Sequence, residues 1–279
     1  MKFDLTSTIL TTTTLFGGAL SLPQTSNLAS RIEARSLNRQ SHPLTREDGG
    51  HSGAQTGFRM ANTAAVAYSN NWAGVVRENA PPGGPYTAVS ATFTIPKPTA
   101  APNTAGMQAG SAWVGIDGDT YSGAILQTGV DFYIENGQVY NDAWFEWFPD
   151  YAYDFNLAVN TGDVIVAKVE AFAPSEGVAI IENKSTGQTA TQTLSAPKAD
   201  ATLKGVNAGW IVEDFQSGDA IVALADFEKV TFTGCEAKAQ NGDSLGLDGA
   251  TIIELKQNDK VLTQVTVKEG SEVTVESKL

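Results

Sequence analysis

Residues 108–155 read QAGSAWVGIDGDTYSGAILQTGVDFYIENGQVYNDAWFEWFPDYAYDF, and in them aromatics, carboxylates and one glutamine recur at two-residue intervals. Strict alternation is the signature of strands, and turn residues divide the stretch into three: Ala112 to Asp117, Ala124 to Tyr133 and Asn141 to Phe148. Successive strand side chains point to opposite faces, so each strand sorts its residues into two sets. Trp113 and Asp117 fall opposite Val114 and Ile116, Gln127 and Asp131 fall opposite Leu126, Val130 and Phe132, and Asp142, Trp144 and Glu146 fall opposite Phe145 and Trp147. One face is a core face. The other mixes tryptophan with carboxylate and amide, which suits a groove gripping a polar, extended ligand, or else is the outer face of a sandwich that carries acids and aromatics.

Outward from this block the same pattern continues. SNNWAGVV (69–76) and YTAVSATFTIP (86–96) precede it; TGDVIVAKVEAFAP, GVAIIENKSTGQTATQTL, NAGWIVEDF, DAIVALADFEKVTFTG, GATIIELKQNDKVLTQVTV and EGSEVTVESKL follow. Gly and Asn-Asp turns punctuate the intervals, and no stretch of this region keeps a helical period for three turns. The expectation is an all-β fold, a single sandwich or jelly roll of roughly a dozen strands. ENKSTG also places an N-glycosylation sequon at Asn183, in a hairpin.

The N-terminal region differs. Residues 1–22 open with Lys2, run through ILTTTTLFGGAL and end in small residues, which reads as a secretory signal. Residues 23–60 shift to Ser, Arg, Gln, Gly and His, with one amphipathic helix expected at Asn27–Asn38, and read as a pro-segment before a body at 61–279. No second apolar run is long enough to cross a bilayer, so a soluble, secreted protein is expected. The formal charge of −13 is unevenly spread: residues 1–60 hold six cations and four acids, a net +2, which leaves −15 for the remainder. Such a body repels nucleic acid and anionic membranes, so neither is expected as a partner. A basic leader on an acidic body is suited to electrostatic docking, the charge attraction collapsing as carboxylates take up protons in acid.

Both histidines, His42 and His51, lie in the leader, and the body has none. A Ser-His-Asp or Cys-His machine and a histidine-ligated zinc site are therefore excluded from the body, and no cofactor is expected. The single Cys235 reads as a small buried residue. What remains for chemistry is carboxylate, amide, hydroxyl and lysine. In NAGWIVEDF, Glu213 alternates with Ile211 and Phe215, so a carboxylate shares its face with apolar neighbours, a setting that shifts a pKa. A carbohydrate-binding or glycoside-hydrolysing sandwich, with Glu146 and Glu213 as acid and base, is one class that fits.

Four ordered motifs, WVGID (113–117), ILQTG (125–129) with Asp131, YNDAWFEW (140–147) and IVEDF (211–215), resemble the fungal glutamic peptidases, the eqolisins. The resemblance implies a jelly-roll-like sandwich of two curved antiparallel sheets and a secreted acid endopeptidase made with a pro-segment that inhibits it intramolecularly. It also implies polypeptide substrates and a monomer. By motif, Gln127 and Glu213 take the positions of a Gln-Glu catalytic dyad, and Trp113, Asp117, Asp131, Asp142, Trp144 and Glu146 match residues that line and support the substrate cleft. A carboxylate would activate water, and an amide, which does not titrate, would hold that water and stabilise the oxyanion.

Overall fold

The computed structural model describes residues 38–47, 66–268 and 270–279. The signal segment, most of the leader and the helix expected at Asn27–Asn38, apart from Asn38, lie outside the described residues. Within them no helix occurs, and the strands form a ten-stranded sheet, an eight-stranded sheet and a small three-stranded ribbon. The ten-stranded sheet runs Lys260–Val261, Thr251–Gln257, Trp72–Arg77, Ala208–Glu213, Gln108–Ile116, Ile125–Glu135, Gln138–Phe148 and Tyr153–Asp154. Two short segments add to it in parallel: Val66–Ser69 along Thr251–Gln257, and Ala223–Leu224 along Gln108–Ala109. All other pairings are antiparallel. The eight-stranded sheet is built on Gln188–Ser195, Glu176–Asn183, Val164–Ala173, Tyr86–Thr94, Lys229–Ala239, Glu272–Ser277 and Thr263–Lys268.

The alternation dictates how these sheets stack. Ala112, Val114 and Ile116, Leu126, Val130 and Phe132, and Ala143 and Trp147 point from one sheet into a shared core, where they meet Val89, Ala91 and Phe93 and Ile165, Ala167 and Val169 of the other. Complete burial of each large apolar side chain contributes on the order of 1.5–3 kcal/mol. Because the period is two, burying this set forces Trp113, Gln127, Asp131, Trp144 and Glu146 onto the opposite face of the same sheet. Cys235 belongs to the core as expected, and burial pushes its thiol up to about 12.

The three strands of the opening block exist but have other limits. The first runs Gln108–Ile116 rather than 112–117, the second Ile125–Glu135, and the third Gln138–Phe148. QAGS carries no polar-apolar contrast, yet Gln108–Ser111 pairs residue for residue with Ile134–Asp131, and the buried Gln108 amide oxygen accepts the Ala101 N–H at 2.7 Å. Asp117 leaves the strand with φ 68°, which ends the ladder one residue early. Asn136 and Gly137, with φ 50° and 77°, form the two-residue turn between the second and third strands that left-handed positions favour.

The sequon at Asn183 has a structural use. Its side chain is fully buried: Nδ2 donates to Asp163 Oδ2 at 2.8 Å, and Oδ1 accepts the N–H groups of Ser185 and Thr186 at 3.0 and 3.2 Å, closing the hairpin turn. A glycan on Nδ2 would displace Asp163 and expose the turn. We therefore expect the peptide spanning residue 183 to carry no glycan when the protein is expressed in a host that glycosylates. Asn183→Ala should lower stability by about 1–3 kcal/mol, the cost of leaving buried polar partners unpaired. Peptide mass mapping and denaturant titration check the two points.

Candidate active site

The polar face is assembled by strand register. Across adjacent strands Glu213 lies opposite Ser111, Ser111 opposite Asp131, and Asp131 opposite Asp142, while Gln127 lies opposite Glu146 and Gly129 opposite Trp144. Residues directly opposite share a face, so these side chains converge without any loop to place them. Trp113 fits because its neighbour is Gly129: a Cβ there would come within 2.5 Å of Trp113 Cβ. The Trp113 indole donates from Nε1 to Glu213 Oε2 at 2.9 Å, and the Trp144 indole donates to Ser111 Oγ at 3.1 Å. Trp72, in register with Glu213, packs edge-on against Trp113 with ring centroids 4.9 Å apart.

These residues are not open to solvent, because leader residues 38–47 lie across them. Arg39 is 1% exposed. Its guanidinium donates through Nε and Nη2 to the two oxygens of Asp131 at 2.9 and 3.0 Å, through Nη1 to Glu146 Oε2 at 3.0 Å, and through Nη2 to Ser111 Oγ at 3.2 Å. It also stacks 3.8 Å above the Trp144 ring and 4.6 Å from that of Phe215. Ser41 donates its backbone N–H to Glu146 Oε2 at 3.0 Å, and its hydroxyl accepts from Arg39 Nη1 at 2.7 Å. The His42 N–H donates to Glu213 Oε1 at 3.1 Å. Main-chain bonds fix the ends of this segment, Gly218 N to Asn38 O and Ala152 N to Arg39 O on one side, Leu44 N to Gly118 O and Glu47 N to Tyr68 O on the other.

Electrostatics follow from this covering. Burial pushes the Glu213 carboxyl up to about 7, although Arg39, the Ser41 hydroxyl, the His42 N–H and the Trp113 indole all favour its ionised form. Burial likewise holds Glu146 well above the usual carboxylate range against the pull of Arg39, and the nearby Glu213 charge adds to the rise. Arg39 is raised despite its burial, because Asp131 and Glu146 favour its charge. The Gln127 amide is fully buried on this face, and neither its Oε1 nor its Nε2 bonds to another protein group. It is poised to bind whatever occupies the space beside Glu146.

The structure brings Gln127, Glu213, Trp113, Trp144, Asp131 and Glu146 together. Asp142 shares their face, but on the far side of Asp131; burial, then Asp154 and Asp131, lift its carboxyl to about 7, and its Oδ2 has no hydrogen-bond partner. Asp117 is placed differently from the strand reading. Turned away by its positive φ, it accepts the backbone N–H groups of Lys204, Gly205, Val206 and Asn207 at 2.7–3.3 Å and so pins the 204–207 loop instead of facing a ligand. Its carboxylate is saturated. Sequence reading put Phe215 on the face of Glu213 and missed Ser111 and Arg39. Ser111 shares that face, as period-two counting allows, whereas nothing in the leader singles out Arg39 among its arginines.

Comparison with known proteins places the chain in a family. The Peptidase A4 family pattern covers residues 70–277. Aspergillopepsin-2 of Aspergillus niger is 42% identical over 99% of both chains, and Scytalidopepsin B of Scytalidium lignicola is 35% identical over 75% of this chain and 79% of that one. Among solved structures, scytalido-glutamic peptidase with a transition state analog inhibitor superposes with a TM-score of 0.66 at 34% identity, covering 75% of this chain and 98% of that one. Aspergilloglutamic peptidase from Aspergillus niger gives 0.58 at 50% identity, covering 61% and 99%. These relatives are peptidases, which decides between the peptidase and carbohydrate readings of the polar face. The chain belongs to the peptidase A4 family and is a glutamic endopeptidase.

Proposed function

We propose that Glu213 and Gln127 form the catalytic dyad of a secreted acid endopeptidase whose own leader, within residues 23–60, holds it inactive after a signal at 1–22 has directed export. The observation that supports this reading best is the covering of Glu213: a buried carboxyl whose two oxygens are taken by the Trp113 indole and by the leader's His42 N–H. Once the leader departs, Glu213 accepts a proton from a water molecule as the water oxygen bonds to the substrate carbonyl carbon. The carbonyl oxygen becomes an oxyanion and receives an N–H from the Gln127 amide. As the C–N bond breaks, Glu213 returns the proton to the departing nitrogen. A preorganised donor of this kind contributes about 10²–10³ in rate. Trp113 orients Glu213, and Asp131, Trp144 and Glu146 line the subsite that Arg39 fills; Asp142 flanks it, and Asp117 braces the 204–207 loop.

The leader's inhibition rests on two contacts: the His42 N–H takes one oxygen of the base, and Arg39 neutralises the carboxylates beside Gln127. Protonating Glu213 as pH falls through about 7 removes a buried negative charge, so it does not loosen the leader. The same holds for the buried Glu146, so the hold on the leader lies in the Arg39 ion pairs themselves, because a buried guanidinium without a counter-charge costs several kcal/mol. The test is digestion of a denatured protein across pH, read by mass spectrometry together with the enzyme's own N-terminus. We expect cleavage to appear in acid, in step with loss of the leader, and to persist with pepstatin, serine and cysteine reagents and EDTA. Activity abolished by EDTA and restored by zinc, or greatest at neutral pH with the leader intact, would overturn the reading.

A further inference from the structure

Beside the dyad sits a side chain that holds the leader without touching any of its side chains. Asn71 is 4% exposed, in the turn immediately before the strand Trp72–Arg77. Its Nδ2 donates to the carbonyl oxygens of His42 and Pro43, each at 3.2 Å, and its Oδ1 accepts the Thr45 N–H at 3.0 Å. The amide orientation is fixed by this pattern, since the oxygen also accepts the Ser69 hydroxyl at 2.8 Å while the nitrogen faces only carbonyls. All three leader bonds go to main chain. Every extended peptide offers the same carbonyls and N–H at the same spacing, proline aside, so a grip of this kind selects no sequence.

The position of Asn71 ties that grip to the reaction centre. His42, whose carbonyl Asn71 holds, is the residue whose N–H reaches Glu213. The Asn71 carbonyl accepts the N–H of Asp214, the residue after Glu213, at 2.8 Å, and Ser69 Oγ accepts the N–H groups of both Asn71 and Trp72. Asn71 is thus anchored to the end of the strand that carries the base. Beyond it, while the Arg46 side chain pairs with Glu78 and Asp119, the leader's main chain continues to bond, Leu44 N to Gly118 O, Asn70 N to Thr45 O and Glu47 N to Tyr68 O. This is the manner in which a sheet edge takes up an added strand.

We propose that Asn71 is a substrate-positioning residue: its amide clamps the main chain of the two or three substrate residues that follow the one held at Glu213, in the direction in which the leader runs. The inference rests on the reading of Glu213 as the base and of the leader as an occupant of the substrate groove. It gives the enzyme a way to set the scissile bond against Glu213 while accepting varied side chains on that side.

The test uses enzyme obtained by acid incubation of the full chain, wild type and Asn71→Ala, with two series of fluorogenic peptides lengthened one alanine at a time toward either end. The readout is the ratio of kcat/KM for long and short peptides. In wild type this ratio should rise as the peptide gains two to three residues on one side of the cleaved bond. In Asn71→Ala that rise should shrink roughly 10- to 100-fold, the scale of losing two or three hydrogen bonds, with the other series unaffected in its length dependence. Should loss of the Ser69 contact unfold the alanine variant, Asn71→Asp retains an acceptor for Ser69 and for the substrate N–H, and lacks the amide donors; it should show the same one-sided loss with an unchanged Tm. A loss equal for all lengths, or an unchanged ratio in a folded variant, would overturn the clamp. Survival of wild-type turnover in Glu213→Gln would overturn the dyad, and the clamp would still be judged by its length dependence.

Discussion

A leader peptide of residues 38–47 carrying Arg39→Ala should inhibit the mature enzyme roughly 10²- to 10³-fold more weakly than the natural peptide, and the full chain with the same change should show activity without the acid step. Arg39 is buried between Asp131, Glu146, Ser111, Trp144 and Phe215, and it supplies the only positive charge bonded to the two carboxylates it pairs with among the described residues. Removing one partner of a buried ion pair costs about 3–5 kcal/mol, and each 1.4 kcal/mol is tenfold in affinity. Arg39→Lys should recover part of the loss, because an ammonium matches one carboxylate but not the two-point contact that the guanidinium makes with Asp131. Asp131→Asn should weaken the leader at every pH, because it removes one of the two carboxylates that pair with Arg39. The combined change should cost less than the sum of the single ones, since both remove one interaction. Inhibition constants against pH and salt check this; an Arg39→Ala peptide that inhibits within threefold of the natural one would contradict it.

That expectation replaces the one suggested by charge alone. Counting residues 1–60 as net positive and the remainder as strongly negative points to diffuse attraction, with exposed pairs worth about 0–1 kcal/mol each. Arg46 behaves in that way, bonded near the surface to Glu78 and Asp119. Arg39 does not. Composition gives the sign of an interaction but not the depth at which it occurs, and depth separates a weak surface pair from a strong buried one.

The sheet face was legible for a related reason. Period-two alternation assigns side chains to faces without knowledge of neighbouring strands, so Gln127, Asp131, Trp144 and Glu146 could be grouped from the sequence, and register then brought them together. Alternation fails where the backbone leaves the strand. Asp117 has the right parity for the polar face but sits at φ 68°, and its carboxylate turns to the 204–207 loop. The start of the strand Gln108–Ile116 was hidden because Ala109, Gly110 and Ser111 are small on both faces. Ser111 nevertheless receives both Arg39 and the Trp144 indole. Asn71 was hidden because it lies in a turn, where polar residues are common, and its role appears only with a peptide laid across it.

Glu213→Gln should lower hydrolysis by about four orders of magnitude, below detection in an ordinary assay. The substitution preserves volume and an acceptor for the Trp113 indole, which donates at 2.9 Å, yet removes the carboxylate proposed to take a proton from water and return it to the leaving nitrogen. Gln127→Ala should cost about 10²–10³, the scale of one lost oxyanion donor. Neither change should unfold the protein: the Gln127 amide bonds no other protein group, and neutral glutamine suits a site that already disfavours charge at Glu213. The most direct measurement is therefore turnover of one long peptide by acid-matured wild type and by Glu213→Gln freed of its leader by the Arg39→Ala change, with circular dichroism and Tm recorded on the same samples. A folded Glu213→Gln protein with no detectable cleavage is the predicted result; a folded variant that cleaves at the wild-type rate would contradict the assignment of Glu213 as the base.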